Sequence, residues 1–400
     1  MATRRTPKNA PSSAPPAGAA PVQPTSRHIR AGLGDPALAE VLAWTDEAYA
    51  RATIIVDRGE AVRELDAPAL REAYRAMLQM RALDAAAQGL VGDGTIGSYV
   101  STKGVEAAVA GAIAALRRDD MVVANRRSGA AALVRGLPVA AFAAQLLGNA
   151  HDLARGRRLP GCPAIPRALN VVPGSSHAGT QLPQAAGIAW AAKMQRKPTV
   201  ALAYLDPQEV DAEDFHTGVN FAGAFHLPVV FVCLSDRLQS PMKTAETVAV
   251  RALAYGIAGS RVDGTDLVAV WAHVRAAVER ARRGEGATLV EAVIEPEQNA
   301  LAVSGARLAG AQIVDARGAS ELQAAAQQEI AAAIDAERRV GPPPVSGIID
   351  GVTAQPSASL RGQLDQLTKA RTSDRNPGGV PWTSRGDSAG QSPAPSTRKA

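Results

Sequence analysis

From about residue 66 to residue 340 the chain alternates between stretches with helical spacing of apolar residues and short, unbroken apolar runs. Asp66 stands just ahead of a stretch in which Leu70, Tyr74, Met77 and Arg81 share one stripe, which predicts a capped amphipathic helix. Residues 104–116 (GVEAAVAGAIAAL) predict a second helix with an inner face of Ala, Val and Ile, leading into a short strand over 121–124. A third helix is expected over 181–196, followed by the strand 199–205 (TVALAYL), a helix around 215–225 and the strand 229–234 (VVFVCL). Further on, 265–283 is amphipathic with a basic end that suits the helix dipole, 288–294 (TLVEAVI) reads as a strand, and 320–338 as a last helix before the stop Gly341-Pro342-Pro343-Pro344. Continuous apolar strands alternating with helices predict an α/β fold, a parallel sheet covered by helices on both faces.

The two ends differ in composition from this body. Residues 1–30 are rich in Pro, Ala and Ser and carry Arg4, Arg5, Lys8, Arg27 and Arg30 without an acid. Such a segment cannot bury enough apolar surface to offset its ordering entropy, so residues 1–35 are expected to be a disordered basic arm. Residues 369–400, with Gly, Pro, Ser and six basic residues but no periodicity, are expected to be a second disordered tail, leaving 36–368 as the folded domain. The formal net charge of +5 therefore comes from the tails, and the body is slightly acidic. That composition argues against a nucleic-acid-binding body, which needs clustered positive charge. The apolar run at 229–234 is far short of the ~20 residues that span a bilayer. Prolines at 7, 11, 15, 16, 21 and 24 oppose the amphipathic helix of a transit peptide, and two cysteines, Cys162 and Cys233, suit a reducing compartment; a cytoplasmic location is expected.

In a parallel sheet, ligands bind beyond the carboxyl ends of the strands. The segments to inspect are Asp206-Pro207-Gln208-Glu209 with its acidic continuation, and Ser235-Asp236-Arg237-Leu238. Asp206 and Asp236 can supply carboxylate oxygens to magnesium, or the acids can simply favour the start of the next helix. Cys162 has no base beside it in sequence and reads as an inert thiol.

Several stretches together resemble one family. They are GRRLPG at 156–161, ALNVVPGSSHAGTQLPQAAGIAWAAK at 168–193, DFHTGVNFAGAFHLPVVFVC at 214–233, the long segment 254–292 and GPPPVSGIIDGV at 341–352. In order and spacing, residues 36–368 resemble the alpha subunit of the thiamine-diphosphate-dependent first component of 2-oxo acid dehydrogenases, most of all the branched-chain type. The resemblance implies the thiamine-diphosphate-binding fold and an alpha2-beta2 heterotetramer with a beta subunit. It also implies oxidative decarboxylation of a branched-chain 2-oxo acid or pyruvate, with acyl transfer to lipoamide on a lipoyl-bearing acyltransferase core.

Carried over position by position, the resemblance places Arg126, Ser176, Ala178 and Leu234 against thiamine diphosphate, Asp206 and Asp236 at magnesium, and Ser175, Thr180 and Gln181 at a potassium ion. The last three equally suit a loop held by its own hydrogen bonds. Departures cluster at this end. The family's Gly-Asp-Gly metal motif falls on Asp206, Pro207 and Gln208; Asn125 stands for a tyrosine before Arg126, and Arg127 for an acid after it. The histidine-bearing loop after the last strand is matched by 295–302, and no histidine lies beyond His273. Glu295 and Glu297 are formal replacements for that acid/base, or solvated loop acids. Two readings follow: an alpha subunit impaired in the family reaction, or a non-catalytic subunit that retains the fold and acts as a structural or regulatory partner. A third, a basic-tailed adaptor on an anionic surface, rests on residues 1–30 alone.

Overall fold

A computed structural model describes residues 65–175, 177–236, 247–295, 298–349 and 352–373. Six strands form one parallel sheet in the order β2-β1-β3-β4-β6-β5. Helix α1 (Ala67–Gly92) begins as expected: the Asp66 carboxylate accepts from the Ala69 N–H at 3.0 Å, and Leu70, Tyr74 and Met77 are buried. Helix α2 (Glu106–Ala114) leads to β1 (Met121–Val123), then α3 (Ala131–Val134), α4 (Val139–Leu147) and the two-residue β2 (Val171–Val172). The centre of the sheet follows: α5 (Gln181–Met194), β3 (Ala201–Leu205), α6 (Glu213–Ala224) and β4 (Val229–Asp236). Next come β5 (Ala258–Asp263), α7 (Leu267–Arg282) and β6 (Thr288–Ile294). Helices α8 (Ala300–Gly310), α9 (Ala316–Arg338) and α10 (Ala358–Ser373) complete the described chain.

The two-residue period of the strands sorts their side chains onto two cores. In β3, Leu202 and Tyr204 join the core built with α1, α2, α4, α7 and α9, while Ala201, Ala203 and Leu205 join the core beneath α5 and α6. Strands β3 and β6 are buried along their whole length, the burial that continuous apolar runs foretell. A third cluster joins Leu70, Tyr74 and Met77 of α1 to Leu267 and Trp271 of α7 and Leu308 of α8.

Strands β2 and β5 and helices α3, α4, α8 and α10 were not anticipated. In β5 the sequence AGSRVD carries a single large aliphatic residue, and its strand conformation is sustained by pairing with β6. Helix α10 runs to Ser373, so the expected tail at 369–400 is helical in its first five residues; its remainder and the expected arm at 1–35 lie outside the described residues.

Candidate functional site

The loops after β1, β2 and β3 meet at the carboxyl edge of the sheet. Beyond β1, Asn125 and Ser128 lock a tight turn. The Asn125 side-chain oxygen accepts from the Ser128 N–H (3.0 Å) and hydroxyl (2.8 Å), while the Asn125 N–H donates to Ser128 Oγ (2.9 Å). This fixes the amide so that Asn125 Nδ2 donates to Asp206 Oδ2 at 2.9 Å and to Glu209 Oε2 at 3.4 Å. Beyond β3, Asp206-Pro207-Gln208-Glu209 opens a 3₁₀ turn, Pro207–Asp211, in which the Glu209 carboxylate reaches back to the Asp206 N–H at 2.7 Å. Beyond β2, the turn into α5 supplies two more donors to the same carboxylate: the Gly179 N–H at 3.1 Å and Gln181 Nε2 at 2.9 Å. Gln181 Nε2 also donates to the Tyr204 carbonyl at 2.9 Å, tying α5 to the end of β3.

Asp206 pairs with Arg127, whose Nη1 lies 3.2 Å from Oδ1; both side chains are nearly buried. Burial pushes the Asp206 carboxyl up to about 6, with Arg127 pulling against it and the Glu209 charge adding to it. Beneath, Cys233 is completely buried, and burial followed by the charges of Glu291, Asp206 and Glu209 drives its thiol well above the ordinary range. Cys162 is buried as well, and burial raises its thiol against the pull of Arg158 and Arg126, which agrees with an inert thiol.

The residues expected from the sequence are only partly assembled. Arg126 and Ala178 are exposed on neighbouring loops, and Ser176 lies outside the described residues. Leu234 does not face this edge: it is fully buried in the core shared by α1 and α7, because strand alternation turns it inward. Asp206 and Asp236 were expected as a magnesium pair, but Asp206 is committed to Arg127 and Asn125. Asp236 is the last residue of β4, half-buried, in register with Ile294. Ser175, Thr180 and Gln181 share one turn, and each engages a protein neighbour. Ser175 Oγ accepts from the His177 N–H, Thr180 Oγ1 donates to Asp214 at 2.8 Å and Gln181 donates to Glu209. Glu295 stands beyond β6, and Glu297 lies outside the described residues.

Magnesium and a diphosphate do not fit this arrangement. Magnesium demands about six oxygen ligands in near-octahedral order, yet both oxygens of Asp206 and both of Glu209 are occupied by N–H donors, which repel a cation. Among the described residues, no three of His, Cys, Asp or Glu are grouped as a metal site. A diphosphate brought to the N–H groups that Glu209 holds would have to displace that carboxylate and would lie beside Asp206. The member that sequence reading missed is Glu209. Its signal was present as Asp-Pro-x-Glu, a cap residue, a proline at the first helical position and an acid two residues later.

Known proteins give this geometry a context. A family model for the dehydrogenase E1 component matches residues 74–294, more than half of the chain. The chain is 35% identical over 248 residues to the pyruvate dehydrogenase E1 component subunit alpha of Bacillus subtilis, a match covering 60% of this chain and 64% of that protein. It is 35% identical over 227 residues to the 2-oxoisovalerate dehydrogenase subunit alpha of the same organism, covering 55% and 68% respectively. The mitochondrial 2-oxoisovalerate dehydrogenase subunit alpha 1 of Arabidopsis thaliana is 34% identical over 224 residues, 54% of this chain and 47% of that protein. The chain thus spans just under two thirds of the Bacillus pyruvate dehydrogenase subunit that it matches. With the parallel sheet and the loops at its carboxyl edge, these matches show that the chain belongs to the dehydrogenase E1 component family, among its alpha subunits.

Proposed function

We propose that this chain is an alpha-type subunit of a 2-oxo acid dehydrogenase first component, of pyruvate or branched-chain type. In this reading it pairs with a beta-type chain but does not itself hold thiamine diphosphate and magnesium. The observation that carries the reading is that N–H donors engage every carboxylate oxygen of Asp206 and Glu209, the acids at the end of β3 where the resemblance puts the metal motif. Pairing is supported by the outer face of α5 and α6. There Trp190 stacks on Phe221 with ring centroids 4.6 Å apart and contacts Phe225 at 4.3 Å, with Met194 72% exposed on α5. A cluster of this kind is apolar surface that a subunit contact removes from water.

Co-expression with a beta-type chain tests the proposal. A stable complex is expected, with no heat on titration of thiamine diphosphate and magnesium and no decarboxylation of pyruvate or 2-oxoisovalerate. Replacing Phe221 by Lys is expected to abolish co-purification while the free chain still unfolds cooperatively, its melting temperature lowered by a few degrees through the lost contacts with Trp190 and Phe225. The second reading is an active subunit that decarboxylates the 2-oxo acid and passes the acyl group to a lipoyl-bearing acyltransferase. The exposed Arg126, which is left free of the network around Glu209, favours it. Tight, magnesium-dependent cofactor binding with turnover would establish that reading and refute the first.

A further inference from the structure

Four donors from three separate loops converge on one carboxylate. Glu209 Oε2 accepts from the Asp206 N–H (2.7 Å), Gln181 Nε2 (2.9 Å) and Asn125 Nδ2 (3.4 Å), and Oε1 accepts from the Gly179 N–H (3.1 Å). No lysine or arginine is among these donors. Directed main-chain and amide N–H groups, brought together by loops and buried beside the ends of β2 and β3, form a concave seat that favours an oxyanion of any origin. Three of the four donors are held independently of Glu209. Asn125 is fixed by its turn with Ser128, Gln181 by the Tyr204 carbonyl, and the Asp206 main chain continues β3. Glu209 itself is only half-buried, so the seat opens toward solvent.

We propose that these groups form an oxyanion seat whose resident occupant is the chain's own Glu209 carboxylate, and that a small external carboxylate or phosphate enters it once Glu209 is shortened. The occupant is covalently attached, so its effective concentration is far above that of any free anion, and the intact chain takes no external anion there. Asp206 stands beside the seat with its charge offset by Arg127, which favours a monoanion such as formate or acetate over a polyanion. This deepens the reading of a closed cofactor end and rests on it for biological meaning. Its test, however, needs neither a partner chain nor thiamine diphosphate.

The experiment is chemical rescue of the full-length chain. Glu209→Ala is expected to lower the melting temperature by several degrees, because four donors lose their acceptor. Sodium formate or acetate should restore at least half of the loss in a saturable manner, with sodium chloride at equal ionic strength doing nothing and the parent chain shifting by less than about 1 °C. Inorganic phosphate should rescue less than formate. Glu209→Gln keeps the volume but brings its own N–H group against the donors, and is expected to lose stability without rescue. Should Glu209→Ala fail to fold, Glu209→Asp withdraws the carboxylate by one methylene, and a smaller saturable gain with formate is expected. Absence of saturable rescue in Glu209→Ala, or in Glu209→Asp where Glu209→Ala does not fold, would overturn the proposal, as would equal anion-induced stabilisation of the parent chain. A beta-type complex that fails to form, with rescue intact, would count against the subunit reading alone.

Discussion

At the scale of single residues, the carboxyl edge of the sheet is governed by Asp206. Its carboxyl titrates at about 6 in the folded chain because burial disfavours the charged form more than Arg127 restores it. In the unfolded chain it titrates near the ordinary value of 3.8. Between those values the native state binds the proton more readily than the unfolded state does. The contribution of this group therefore favours folding most fully below about pH 4, and it is lost as pH rises through about 6. Compared with Asp206→Asn, the parent chain is expected to gain relative stability on the order of 2 kcal/mol as pH falls from about 7 to 4. Urea unfolding of both chains at three pH values checks this; a constant or opposite difference would show that Asp206 is not desolvated. Pro207 has a separate consequence here. Without an N–H, and fixed near the helical φ, it fits the first position of the turn and helps Glu209 swing back onto the Asp206 N–H.

At the scale of elements, α5 and α6 lie together on one face of the sheet because a glycine allows their backbones to meet. A Cβ added to Gly218 of α6 would stand 2.7 Å from the Leu182 carbonyl carbon and the Pro183 nitrogen of α5. Gly218→Ala is therefore expected to cost about 2 kcal/mol through overpacking, although alanine is the better helix former. Denaturant unfolding measures it, and a neutral or stabilising change would mean that the helices separate freely. The same pair carries the Trp190–Phe221–Phe225 cluster on its outer side, so the helix crossing also sets the shape of the surface offered to a partner. Helices α1, α5, α7 and α9 were legible in the sequence because each presents periodic apolar residues or a cap. The end of α6 falls within a residue of the expected 225, whereas the extension of β4 to Asp236 was not legible, because it depends on pairing with β6, which local spacing does not encode.

At the scale of the whole molecule, Asp120 joins parts of the chain far apart in sequence. Completely buried, it accepts from the Arg117 and Val200 N–H groups, both at 2.8 Å, and from Arg282 Nη2 at 3.0 Å, tying the start of β1 to the approach to β3 and the end of α7. Removing it leaves the nearly buried Arg282 guanidinium with only the half-exposed Glu279, 3.9 Å away, as counter-charge. Asp120→Ala is accordingly expected to destabilise the chain by about 3–5 kcal/mol, and Asp120→Asn by clearly less, read by thermal unfolding. Equal losses in the two variants would mean that the charge is immaterial.

The periodicity of the chain determined by itself that this is an α/β protein with a buried parallel sheet. Burial on two faces demands unbroken apolar strands, and burial on one face demands helical spacing, and both are properties of local sequence. Its resemblance to E1 alpha subunits was legible at the same level, as was the loss of the Gly-Asp-Gly motif. What only the tertiary structure decided is how that loss is filled. Asn125, Arg127, Gln181, Asp206 and Glu209 come from three loops, and their roles depend on which donor meets which acceptor across the edge of the sheet. Asp206 looked like a metal ligand because carboxylates at strand ends often are. Its partner proved to be a guanidinium, and the acid that closes the site was one turn further along, since hydrogen bonds act over about 3 Å and obey spatial proximity rather than order in the chain.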